Sequence, residues 1–115
     1  MNRLTNLMSL VAVLAVLPWS IAVSASGDSA RGKKIFIKYC AGCHGRQGQG
    51  DGYRLLGPSP ANLLSQSTME QSDEELLRTM HEGKPNMPAW KYRLAEKDSA
   101  DVLAYVRSLQ AERTE

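Results

Sequence analysis

Apolar residues along the chain form one continuous run and two stretches with helical spacing. The continuous run extends from Leu7 to Leu17. In residues 73–82 and again in residues 95–109, apolar side chains recur every three or four positions, as on one face of a helix. No stretch reads as a strand that alternates polar and apolar residues. The pattern therefore predicts an all-α fold.

Local signals set the ends of the predicted helices. A first helix begins at Asp28, a good N-cap, and runs through Lys38. The helix over residues 73–82 has a capping box of Ser72 and Glu75, and Gly83 ends it. In the last helix, Ala95 stands where a capping serine or threonine is common, at a cost of about 1 kcal/mol.

The segments between these helices are predicted to be loops. Residues 45–60 carry five glycines and two prolines and form a long loop. A short helical segment is expected near Ala61–Ser65. The last helix presents one apolar face to the core, made of Val102, Tyr105, Val106 and Leu109.

The continuous apolar run has the features of an export signal. Arg3 precedes it, Pro18 breaks it, and Val23-Ser24-Ala25 offers the small residues that signal peptidase accepts. We expect cleavage after Ala25, which divides the chain into a signal peptide, residues 1–25, and an exported domain, residues 26–115. An uncleaved anchor is the alternative, because the 17 residues from Leu7 to Val23 reach the short end of the length range of membrane helices.

Composition limits the class of protein. A chain of 115 residues with 23% charged residues has room for one small soluble domain and is no collagen, disordered tail or multidomain enzyme. Two cysteines exclude a disulfide-rich scaffold. A net charge of +2 gives no reason to expect nucleic acid. Few large apolar residues remain to build a core, so we expect something else to fill it.

Those two cysteines form the motif Cys40-Ala41-Gly42-Cys43-His44. The spacing C-x-x-C-H is the attachment signature of c-type haem. Thiols three positions apart on one helical turn reach both vinyl groups of one porphyrin, and the adjacent His44 then lies below the iron as an axial ligand. A thioredoxin-like motif would need βαβ surroundings, and a zinc site would need a second pair of ligands. The motif therefore predicts one haem c, bound through Cys40 and Cys43.

With these residues in place, the chain resembles a class I monohaem cytochrome c of the short bacterial periplasmic type. The resemblance runs from Asp28 to Leu109 and rests on three stretches: residues 40–52, Met87-Pro88-Ala89-Trp90, and residues 98–109. It implies about four short helices around a covalently bound haem c. It also implies that the first and last helices cross where a glycine admits an aromatic ring, at Gly32, Phe36 and Tyr105.

The second axial ligand is expected to be Met87. This residue lies in a loop stiffened by Pro85 and Pro88, each of which holds the preceding residue extended. The family's distal ligand also precedes a proline. Met80 has the spacing of a core residue, and His81 that of a surface residue, while Met69 has no distinguishing feature.

The surroundings of the iron are less fully determined. A ligating histidine donates its other ring proton to a carbonyl, which in the family belongs to a proline downstream of the motif. Pro58 and Pro60 both qualify, and the sequence does not choose between them. Trp90 and Tyr53 either contact the porphyrin and its propionates or pack in the core.

The resulting hypothesis is a one-electron carrier, not an enzyme, with a six-coordinate His/Met haem. The alternative is a haem c relay subunit of a periplasmic dehydrogenase or a terminal reductase complex, which would make a membrane complex its partner. A gas sensor would need an open sixth position, and a thiol oxidoreductase would need free thiols. Monomer is the default state for so small a carrier.

Charge suggests the kind of redox partner. Residues 31–54 hold six basic residues against one acid, and residues 84–97 hold four against one. Residues 70–82 between them carry five acids against one arginine. The two basic segments flank His44 and Met87, so we expect a basic rim that attracts partners with an acidic docking face.

Overall fold

The structure, a computed structural model, describes residues 27–53 and 57–115. The expected signal peptide lies outside the described residues. The described residues form five α-helices and one short 3₁₀ helix, Trp90–Tyr92: α1 (Ser29–Tyr39), α2 (Ala41–His44), α3 (Gln66–Met69), α4 (Asp73–Glu82) and α5 (Glu96–Thr114). The prediction of a small all-α fold is confirmed: about four helices were expected, and α2, a separate one-turn helix within the motif, is the fifth among the described residues.

The core is built where α1 crosses α5. A Cβ atom at Gly32 would collide with the carbonyl of Asp101, so only glycine lets the two backbones approach this closely. One turn further along, the fully buried ring of Phe36 meets the ring of Tyr105 edge-on, with centroids 5.3 Å apart. The predicted crossing at these three residues is confirmed.

The predicted helix starts are also confirmed. The side chain of Asp28 accepts a hydrogen bond from the backbone N–H of Arg31 and caps α1. At α4, the Ser72 hydroxyl accepts from the N–H of Glu75, whose carboxylate accepts from the N–H of Ser72. This reciprocal pair fixes the start of α4, and Gly83 follows its last residue.

The short helix expected over Ala61–Ser65 was placed wrongly, because the helix begins only after this segment ends. Residues 61–65 form a turn in which the Asn62 side chain accepts from the N–H of Leu64. Ser65 is the N-cap, and its hydroxyl accepts from the N–H of Thr68. The asparagine therefore competes with helix formation, and the serine then starts α3.

Helix α5 continues five residues beyond the predicted end at Leu109. The added turn contains Gln110 and Arg113, whose side chains donate to the backbone carbonyls of Leu63 and Leu64. These polar contacts do not follow the apolar spacing from which the end was predicted. Ala95 is the N-cap of α5, as expected, and its N–H donates to the carboxylate of Asp98 at 3.1 Å.

A buried carboxylate joins the two long helices. Asp101 on α5 is inaccessible to solvent and accepts a hydrogen bond from the backbone N–H of Asp28 at 2.8 Å. Its other partners are the side chains of Arg31 on α1 and Lys97 on α5. The charge is thus paired and hydrogen-bonded, as a buried carboxylate must be.

Candidate functional site

A cavity of about 430 Å³ lies beside the α1–α5 core. Its volume is in the range of small-molecule and cofactor sites. Most of its wall is apolar, from side chains on α1, α4, α5 and the loops between them, among them Phe36, Leu63, Leu76, Val102, Leu103 and Val106. The same wall contains Cys40, Cys43, His44 and Met87. All four residues expected to hold the cofactor therefore face one space.

The two thiols lie three positions apart, where α1 passes into α2. Cys40 ends α1 and precedes α2, and Cys43 lies within α2. They are not joined in a disulfide. Burial, and to a smaller extent the neighbouring Cys43 thiol, raises the pKa of Cys40 to about 11. Redox-active C-x-x-C motifs have a lowered thiol pKa, so this environment argues against thiol–disulfide exchange.

His44 has a defined ring orientation. Its Nδ1 lies 3.0 Å from the carbonyl oxygen of Ala61. Because a carbonyl only accepts, Nδ1 carries the proton, and Nε2 keeps its lone pair for a metal. A metal-binding histidine is held in this way by the hydrogen bond that its other nitrogen makes.

The acceptor for His44 is neither of the two prolines considered from the sequence. The carbonyl oxygen of Pro60 lies against Gly50, 2.6 Å from where a Cβ atom would stand. Pro60 is thus engaged with the glycine loop, and the next carbonyl, that of Ala61, faces the histidine. Sequence reasoning missed Ala61 because every residue has a backbone carbonyl, so the residue type does not show which carbonyl accepts the hydrogen bond.

Met87 lies in a tight turn that starts after α4. The backbone N–H of Lys84 donates to the carbonyl of Met87, and the N–H of Met87 donates back, both at 2.9 Å. Gly83 makes the entry to this turn with φ at +73°, and a side chain there would collide with the Met87 carbonyl. The turn therefore holds the Met87 backbone in one conformation.

The other candidate ligands differ in whether they line the cavity. Met80 also lines the cavity, but it packs against the core cluster on α4, as its spacing predicted. Met69 and His81 are not among the lining residues. Of the candidates weighed from the sequence, only Met80 and Met87 reach the cavity.

Aromatic side chains form part of the cavity wall. The rings of Tyr39 and Trp90 pack together with centroids 5.6 Å apart, and both line the cavity. Tyr53 also lines it but is 73% exposed, so it stands at the rim and not in the core. Tyr39 was not singled out from the sequence, although its place next to Cys40 was a usable signal.

Some basic residues of the predicted rim form ion pairs and others do not. Arg31 and Lys97 bind Asp101, and Lys91 binds Glu82 at 2.9 Å. Within the described residues, the remaining cations of the two basic segments form no ion pair: Lys33, Lys34, Lys38, Arg46, Lys84 and Arg93. Lys84 lines the cavity, and Lys38 lies over the ring of Tyr39. Arg54 lies outside the described residues.

Comparisons with known proteins identify the family of the chain. The family model of cytochrome c oxidase, cbb3-type, subunit III, matches residues 27–106. Cytochrome c6 of Nostoc is 32% identical over 110 residues, which are 92% of either chain.

Two larger relatives match over a small part of their own length. The cbb3-type oxidase subunit FixP of Bradyrhizobium diazoefficiens is 37% identical over 71% of this chain and 28% of its own. A subunit of the nicotinate dehydrogenase of Pseudomonas putida is 30% identical over 68% of this chain and 7% of its own. The chain therefore spans less than a third of either protein.

The thiol pair, the oriented imidazole and the apolar cavity are the donor set and the space that a covalently attached haem needs. The family model covers most of the chain, and the match to cytochrome c6 extends over nearly all of both proteins. The chain belongs to the cytochrome c family, as a class I monohaem member that binds haem c.

Proposed function

We propose that this protein is a one-electron carrier with a six-coordinate haem c, in which His44 and Met87 are the axial ligands. The observation that carries the proposal is one cavity lined by both motif cysteines, the histidine and the methionine. When bound, haem c supplies the one-electron chemistry of its iron.

The residues of the chain contribute binding, orientation and exclusion of water. Cys40 and Cys43 attach the group, and the Ala61 carbonyl sets the direction of the His44 ring. Apolar side chains such as Phe36 and Leu76 line the cavity and lower its dielectric constant. A thioether ligand and a dry pocket both favour the reduced state, so we expect a high potential for a haem protein.

Met87 is the better thioether ligand of the two at the cavity. Met80 lies on a helix and packs against the core, so its movement toward an iron would leave a gap there. Met87 belongs to a hydrogen-bonded turn and is not among the side chains that pack against the core cluster. A ligand held by a rigid turn requires little rearrangement when the iron changes oxidation state.

The carrier is proposed to work in the periplasm after removal of residues 1–25. This part of the proposal rests on the charge, apolar run and cleavage pattern of the sequence. In residues 27–53 and 57–115, none of the helices has the length and hydropathy needed to cross a membrane. The N-terminal sequence of the protein isolated from its host tests the cleavage: Ser26 is expected as the first residue.

We further propose that the partner is a redox protein with an acidic docking face. Lys84 at the cavity wall and Lys38 above Tyr39 make no ion pair within the described residues, so their charge is available to a partner. Cations at the rim of a site increase the rate of encounter with an acidic protein.

A relay subunit in a larger redox complex is the second candidate. The similarity to FixP and to a subunit of nicotinate dehydrogenase favours it, since each of these proteins is named as a subunit. The two candidates need the same ligands and differ in assembly. Size-exclusion chromatography of the native protein in mild detergent distinguishes them, because a carrier elutes alone and a relay elutes with its complex.

Absorption spectroscopy of the haem-loaded protein tests the ligand assignment. A weak near-infrared band from sulfur to ferric iron is expected in the wild type and in Met80→Leu, and its loss is expected in Met87→Ala. The ferrous Met87→Ala protein should also bind carbon monoxide, which the wild type should not. If the band is lost in Met80→Leu and kept in Met87→Ala, Met80 and not Met87 is the iron ligand.

A further inference from the structure

We propose that Gln110 and Arg113, in the last turns of α5, are positioning residues for His44. They hold the backbone segment that presents the Ala61 carbonyl to the histidine ring. The inference rests on the proposed role of His44 as an iron ligand. It extends that role by assigning control of the histidine to a part of the chain that does not line the cavity.

The segment is held from two sides by hydrogen bonds. The amide of Gln110 donates to the carbonyl of Leu63 at 2.7 Å, and the guanidinium of Arg113 donates to the carbonyl of Leu64. From the opposite side, the N–H of Leu63 donates to the carbonyl of Gly48 at 2.7 Å. Ala61 lies two residues before Leu63, so its position depends on how these bonds fix the segment.

Burial alone does not fix Ala61. Ala61 and Asn62 are exposed, whereas Gln110 is 6% exposed and its amide is enclosed. A buried amide that loses its acceptor carries a large desolvation cost, so Gln110 holds Leu63 firmly. The side chains of α5 therefore add to two local restraints, the close approach of the Ala61 backbone to Gly50 and the bond from the Thr68 hydroxyl to the Asn62 carbonyl at 3.1 Å.

The position of Ala61 matters because its carbonyl determines how strongly His44 donates. A strong hydrogen bond from Nδ1 increases the basicity of the ring as a ligand, and a basic ligand stabilises the oxidised iron. If the segment loosens, that bond weakens. The reduction potential is then expected to rise, and the Nδ1 proton is expected to exchange faster with solvent.

Four variants of the haem-loaded protein test the inference. Gln110→Leu and Arg113→Met remove the two bonds to the segment. Gln66→Leu and Arg78→Met are the matched controls. The side chain of Gln66 donates to Glu70 and that of Arg78 to Glu74, so these two variants break bonds of the same kinds that do not involve residues 61–64. The measurements are the reduction potential and the exchange rate of the His44 Nδ1 proton in the ferrous protein by NMR.

We expect both test variants to raise the potential and to speed the exchange by about fivefold, with no change in the controls. Arg113 lies on the exposed end of α5, so Arg113→Met keeps the test decisive if Gln110→Leu does not fold. A lower melting temperature with wild-type potential and exchange would overturn the inference, since it would indicate a purely structural role.

Failure of the proposed function would look different. If His44 is not an iron ligand, the wild-type ferric protein itself lacks the shifted imidazole resonances of a coordinated histidine. The inference is then overturned together with its premise, before any variant is compared.

Discussion

The guanidinium of Arg31, in the first turn of α1, binds the carboxylate of Asp101, which lies on α5 and is closed to solvent. Seventy positions separate the two residues in the sequence. The same carboxylate accepts from the backbone N–H of Asp28, so one buried group fixes the start of α1 to α5. Asp98 binds the other nitrogen of the guanidinium at 2.5 Å.

This pair predicts a loss of stability in acid. Burial by itself would raise the pKa of Asp101, but the Asp28 N–H, Arg31 and Lys97 lower the pKa to about 2. A carboxyl with a depressed folded-state pKa stabilises the fold above its unfolded pKa of about 3.9 and ceases to do so as the pH falls toward 2. Asp101→Asn should therefore be less stable at pH 7 by about 1–3 kcal/mol.

Urea unfolding followed by circular dichroism between pH 7 and pH 3 measures this contribution. The difference between wild type and Asp101→Asn should shrink as the pH falls below 4. Glu74→Gln is the control, because Glu74 is exposed and pairs only with Arg78. A difference that stays constant down to pH 3 would mean that the charge of Asp101 contributes little.

A second prediction concerns the helix crossing. Gly32→Ala places a methyl group against the Asp101 carbonyl, so α1 and α5 must separate, and we expect a loss of about 1–3 kcal/mol. Gly42→Ala is the matched control: a Cβ there meets nothing within 4 Å, and alanine is the better helix former. Thermal unfolding of the two haem-loaded variants should therefore shift in opposite directions, and equal shifts would contradict the argument.

The Met87 turn predicts a change in ligand exchange. Glu82 and Lys91 form an ion pair across the base of residues 83–90, which carry Met87. Lys91→Met should free this loop and increase the affinity for added imidazole, by no more than about fivefold because the pair is exposed. Titration of the ferric protein measures the affinity.

The equivalent exposed pair on α4 provides the control for this experiment. Arg78→Met breaks the bond to Glu74 without touching the loop, and its imidazole affinity should equal that of the wild type. If both variants bind imidazole equally, the Glu82–Lys91 pair does not restrain Met87.

The unpaired lysines predict how electron transfer depends on salt. With an acidic redox partner, the second-order rate should fall as ionic strength rises, because screening weakens the attraction. Lys84→Gln and Lys38→Gln should lower the rate at low salt and flatten this dependence. Lys33→Gln is the comparison, because it removes an exposed charge that neither lines the cavity, as Lys84 does, nor lies over a ring of the cavity wall, as Lys38 does. A rate independent of salt would remove the argument for an acidic partner.

The helix starts were predictable because their causes are local, whereas the α1–α5 crossing was expected only from the resemblance to a known family. Asp28 and Ser72 cap helices through bonds to residues three positions away. Repeated spacing of this kind can be read directly from a sequence. The all-α fold and the helices that flank the motif followed from it.

The features that were missed depend on contacts between distant residues. Gln110 and Arg113 extend α5 because they bind carbonyls almost fifty positions away, and residue type does not reveal such partners. Asp101 in the last helix reads as a surface residue until α1 covers it. The choice of Ala61 over the two prolines likewise depends on which way a backbone carbonyl faces.

The joining of α1 to α5 also has a consequence for the order of folding. Contacts that span about seventy positions stabilise the molecule only after the entropy of closing a long loop has been overcome. The walls around Cys40 and Cys43 therefore form together, once the last helix is available. Until then the thiols lie in a chain that has not yet folded. In that state a bulky planar group can reach them, and no part of the folded structure has to open.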